Sequence, residues 1–162
     1  MIFDRNINGI QVTLRIDGYQ DPAAHGYGDV WCDCGYSFRL ADVLDYRCEH
    51  DELLMPEEVD ALAVAFSDLL EGRLAAPREI RLMEPDFVFL LCPETDLRTD
   101  PEVIYVAPGC ELQGIRAEWR VYFWNEGLTD HYLTIALGRD DIAAFRDFLL
   151  GCAAAQTQGE DE

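Results

Sequence analysis

The chain of 162 residues contains no lysine, and its 12 arginines stand against 32 acidic side chains for a formal net charge of -20. So acidic a surface repels nucleic acid and anionic lipid headgroups and attracts cations, which excludes partners held through phosphate. At 49% hydrophobic and 11% aromatic residues, the sequence is too apolar for a disordered chain and long enough to bury a core of its own.

In chain order, Ile7 precedes an alternation of Ile10, Val12, Leu14 and Ile16 with polar residues. That period of two predicts a half-buried strand ending at Asp17-Gly18. Residues 19–28 hold one proline and two glycines and predict a loop. Val30, Cys32, Cys34, Tyr36 and Phe38 then alternate with more polar neighbours as a second strand, and residues 43–54 are expected to pair beside it.

At Pro56 the period changes to 3.6. Proline suits the first helical position, and Glu57 and Glu58 suit the positive end of the helix dipole. Val59, Leu62, Ala63, Phe66, Leu69 and Leu70 form one apolar stripe, and Gly72 supplies the stop. Further strands are predicted at 80–82 and 87–92. A polar loop over 93–101 leads to the apolar run 103–106. Strands follow at 119–124 and 132–137, separated by Asn125-Glu126-Gly127. A last helix opens at Arg139-Asp140-Asp141 and is expected to bury Ile142, Phe145, Phe148 and Leu149, ending at Gly151 or extending through Ala153–Ala155.

Strands in clusters, with helices between and after them, predict an α+β fold. The expectation is one domain over residues 1–155, a largely antiparallel sheet with two amphipathic helices packed on one face, and a short solvated acidic tail over 156–162. No apolar run approaches the ~20 residues that span a bilayer. The N-terminal Met1-Ile2-Phe3-Asp4-Arg5 lacks the pattern of an export signal, so a cytoplasmic protein is expected, with its six cysteines reduced.

Few residues offer chemistry. Cys32, Cys34, Cys48 and His50 make a Cys₃His set of the kind that binds zinc, but Cys32-Asp33-Cys34 departs from the usual C-x₂₋₄-C spacing. Cys32 and Cys34 also fit the apolar face of their strand, so core thiols are expected and no metal or cofactor is assigned. His25, His50 and His131 lack a nucleophile setting, Ser37 and Ser67 lie within elements, and no phosphate-binding glycine loop is present. No catalytic residue is assigned, and an enzyme is not expected.

The acids are more informative. Residues 41–60 hold eight of them against Arg47, net -7, and residues 84–102 hold six against Arg98, net -5. A partner-binding face is therefore assigned to Asp42, Asp45, Glu49, Asp51 and Glu52, with Glu57 and Glu58 at the helix start. Such a face steers a basic partner, most strongly at low salt.

The order of motifs also carries a resemblance. The first strand ends in Gly18-Tyr19-Gln20-Asp21-Pro22, and Asp29-Val30-Trp31-Cys32-Asp33-Cys34 opens the next after a loop. The helix closes on Phe66-Ser67-Asp68-Leu69-Leu70-Glu71-Gly72, a strand follows Glu84-Pro85-Asp86, and a strand–helix unit from His131 to Leu150 ends the domain. Over residues 7–150 this resembles the WapI-like immunity proteins of bacterial polymorphic and contact-dependent toxin systems. The resemblance implies a small cytoplasmic protein that binds and neutralises a cognate toxin domain, commonly a nuclease. The alternative is a general cytoplasmic α+β domain, structural or small-molecule-binding, whose acidity reflects only its host's coding bias or salt.

Overall fold

A computed structural model describes residues 1–19 and 31–159, with the side chains of residues 50, 51 and 157–159 outside the description. His25, Val30 and most of the loop expected over 19–28 therefore lie outside the described residues.

The fold is α+β and antiparallel throughout, its main strands divided between two four-stranded sheets. The first is a meander of β1 (Ile2–Ile7), β2 (Ile10–Tyr19), β3 (Cys32–Leu40) and β4 (Leu44–Glu52). Asn8 (φ 52) and Gly9 (φ 89) both take left-handed conformations and close the first hairpin, the two-residue turn whose twist suits antiparallel strands. Because directly paired residues share a face, Phe3, Leu14, Tyr36 and Cys48 form one row across the sheet, and Val12, Phe38 and Tyr46 lie in the next. The expected pairing of residues 43–54 beside the second strand is observed as β4 against β3.

Helix α1 (Pro56–Leu70) buries Val59, Leu62, Ala63, Phe66 and Leu69 of the expected stripe and leaves Leu70 half-buried. Gly72 follows at φ 71, a conformation that L side chains seldom adopt. The second sheet has the order β10-β9-β6-β5, from β5 (Arg78–Arg81), β6 (Phe87–Cys92), β9 (Arg116–Trp124) and β10 (Leu128–Leu137). Between β6 and β9, β7 (Thr95–Asp96) and β8 (Leu112–Gln113) pair as a small hairpin. The run 103–106 is apolar but forms no strand. Ile104 and Tyr105 are exposed, and no sheet edge pairs with them. Helix α2 spans Arg139–Gly159, beyond both expected ends, while residues 160–162 of the expected tail lie outside the described residues. No helix among the described residues is long and apolar enough to cross a membrane.

Both helices meet the inner face of the second sheet. Phe145 of α2 lies 5.1 Å from Phe3 of β1, 5.1 Å from Phe66 of α1 and 5.2 Å from Trp119 of β9. Phe38 and Phe87 approach Trp119 edge-on at 5.4 and 5.0 Å and carry the same core between the sheets. Edge-to-face contacts set each ring's positive rim against a neighbour's negative face, which adds to the burial energy.

Two outcomes follow from this packing. Phe145→Ala leaves a cavity where three elements meet and should cost about 3–5 kcal/mol in urea unfolding. Cys32, Cys34, Cys92 and Cys152 are buried whereas Cys110 is exposed, and burial pushes the Cys152 thiol up to about 11. A thiol reagent in mildly alkaline buffer should therefore modify Cys110 first and reach the four buried thiols, Cys32, Cys34, Cys92 and Cys152, only in denaturant. Equal rates would contradict the packing.

Candidate functional site

The residue that organises the surface is Asp86, which turns the chain into β6 and is only 3% exposed. Its Oδ1 accepts a hydrogen bond from the Tyr36 hydroxyl at 2.9 Å and another from the Trp124 indole Nε1 at 2.8 Å. Tyr36 belongs to the first sheet and Trp124 ends β9 in the second, so one carboxylate joins both. The backbone carbonyl of Asp86 also accepts from the Tyr122 amide at 2.8 Å. Burial, and then the negative charge of Asp86, push the Tyr36 phenol well above the usual tyrosine range. The hydroxyl therefore stays protonated and remains a donor.

Above this junction lies an open cleft of about 580 Å³ between the sheets. Its aromatic wall is Tyr36, Tyr46 and Trp124, and its charged lining is Glu52, Glu84 and Asp86 against Arg47. The Arg47 guanidinium pairs with Asp45 at 2.7 Å. The Trp124 amide donates to the Tyr46 hydroxyl at 3.3 Å, and Tyr46 packs edge-on against Phe123 at 4.9 Å. Trp124 is 43% exposed although its indole N–H is bonded, so the surface it offers to solvent is mainly ring carbon.

The acids nominated from sequence are not one patch. Asp42 sits in the β3–β4 turn, and the length of β4 holds it roughly 30 Å from Glu52. Asp45 and Glu49 are exposed but paired, Asp45 with Arg47 and Glu49 with Arg15 at 2.7 Å. The second pair reaches across β3 above Gly35, where an added Cβ would come within 2.8 Å of Arg15 and 3.2 Å of Glu49. The side chain of Asp51 lies outside the description. Glu52 is exposed and lines the cleft, and Glu57 is exposed in the first turn of α1. Glu58 serves the fold: its Oε2 accepts the Met55 amide at 3.0 Å and its Oε1 the Met83 amide at 2.6 Å, which ties the start of α1 to the segment before β6.

Sequence reasoning did not find the aromatic members of the cleft. Tyr36 reads as an apolar strand position, Trp124 as a strand end and Asp86 as a turn residue, and nothing local reveals that they converge. Cys32 and Cys34 occupy the core, as their strand face implied. Among the described residues no group of three His, Cys, Asp or Glu could hold a metal ion, and the side chain of His50 lies outside them.

Tyr36→Phe removes one donor from a buried carboxylate and should cost about 1.5–3 kcal/mol in urea unfolding. It should also change the alkaline response. An unfolded tyrosine ionises near pH 10 while folded Tyr36 keeps its proton, so its contribution is complete below about pH 10 and falls as pH rises further. Phe at this position should make the loss of stability above that pH shallower.

No curated protein matches the chain. Residues 1–155 match the model of the family described as Immunity protein WapI-like. That match spans both sheets, both sides of the cleft and nearly all of α2, and the chain belongs to the WapI-like immunity protein family.

Proposed function

We propose that this protein binds a cognate toxin domain of nuclease type and neutralises it by covering its working surface, as a non-catalytic inhibitor in the cytoplasm. The family match over residues 1–155 carries the reading. The net charge of -20 supports a nuclease as the target, because enzymes that hold nucleic acid present basic grooves to phosphate.

The internal ion pairs narrow the face. Asp45 and Glu49 already face arginines, and Glu58 is held by backbone amides. We assign the partner's approach to the junction of β4 and α1, where Glu52 and Glu84 line the cleft and Glu57 lies in the first turn of α1. Arginines on the toxin would meet these carboxylates, while the neighbouring pairs, each balanced, would add little attraction.

The reading predicts a toxin gene immediately upstream of this one, and its test is co-purification and protection with the C-terminal domain that gene encodes. Protection of cells expressing that domain is expected, and failure to bind it would refute the reading. Replacing Glu52 and Glu57 together by arginine should slow association about tenfold at low salt and flatten its dependence on ionic strength. Asp42→Arg, at the far end of β4, should matter much less. Equal association rates for all three proteins would remove the electrostatic part of the proposal.

A further inference from the structure

We propose that the cleft between the sheets is a receptor for an arginine side chain carried by the protein partner. The inference rests on the toxin-binding reading for the source of that arginine, but not for the chemistry of the cleft.

Three observations fit this occupant. The first is shape: about 580 Å³ lies within the ~300–1,000 Å³ typical of ligand pockets, enough for one long side chain and the residues beside it. The second is charge. Among the described lining residues, three acids (Glu52, Glu84 and Asp86) stand with a single arginine, Arg47, so the lining carries a net negative charge and favours a cation. The third is the aromatic wall. Trp124 presents ring surface while its indole N–H is held by Asp86 and its amide by Tyr46. A ring fixed from beneath loses little further freedom on binding, which is the property that makes buried tryptophan and tyrosine anchors effective.

Arginine suits these features better than lysine. Its planar guanidinium stacks on an indole face and offers paired N–H donors to a carboxylate at the same time. A lysine ammonium is a compact, strongly hydrated charge that cannot make the stacked and bidentate contacts together. A neutral apolar side chain would desolvate the cleft's carboxylates and return nothing to them.

The test starts from the isolated protein and the probe N-acetyl-L-arginine amide. The Trp124 indole N–H resonance should shift saturably with the probe, and should not shift with N-acetyl-norvaline amide. The Glu52→Gln, Glu84→Gln double variant should weaken the response about tenfold, the loss of a charge-assisted contact. Asp140→Asn, on α2, should leave it unchanged. No saturable shift, or an equal shift with norvaline, would overturn the proposal.

A second arm uses the toxin domain. Replacing one of its arginines by alanine should cost affinity in the parent protein but not in Trp124→Ala. If the toxin is neutralised with full affinity by both the double variant and Trp124→Ala, the cleft proposal fails and neutralisation stands. If the arginine amide binds as described but the adjacent toxin does not, the cleft stands and the proposed function fails.

Discussion

The structure depends on one buried carboxylate. Asp86 sits between two sheets that share no backbone ladder, and it receives a donor from each. A carboxylate taken from water needs such donors, because burial without them costs several kcal/mol. The rings on either side supply them and are aligned by doing so. The apolar core pulls the sheets together without specifying direction, whereas the hydrogen bonds from Tyr36 and Trp124 specify how they meet. The same bonds shape the cleft, so fold and candidate site share one cause.

Charge is handled by a second device. With no lysine, the strong cations are all guanidinium groups, and four arginines pair with acids two residues away on the same strand face. Arg15 with Asp17, Arg47 with Asp45, Arg81 with Glu79 and Arg120 with Glu118 follow this spacing on four different strands. A strand's period of two places such residues side by side. Exposed pairs of this kind add little stability singly. Their effect is to cancel charge locally along the strands.

Much of the fold was legible in advance. The strand alternations around β2, β3 and β9, the apolar run of β6 and the 3.6 period of both helices predicted elements close to those found, because each depends on its own residues. The Asn8-Gly9 hairpin was equally legible as a two-residue turn between apolar residues, although the reading placed the first strand at Ile10 and omitted β1. The run 103–106 is apolar too, yet it forms no strand. Its composition suits a strand, but a strand needs an edge to pair with, and none is supplied.

The site divides in the same way. By itself the sequence determined the α+β class, the apolar faces, an acidic surface and a concentration of carboxylates from Asp42 to Glu58, since composition and short-range period are properties of the chain. It could not decide which of those acids were spent internally. Glu49 meets an arginine 34 residues earlier, and Glu58 accepts an amide 25 residues later. Nor could it place Tyr36, Asp86 and Trp124 together, with 50 residues between the first pair and 38 between the second. Only the tertiary structure decided the cleft, because a hydrogen bond depends on distance in space and direction, which local sequence does not encode.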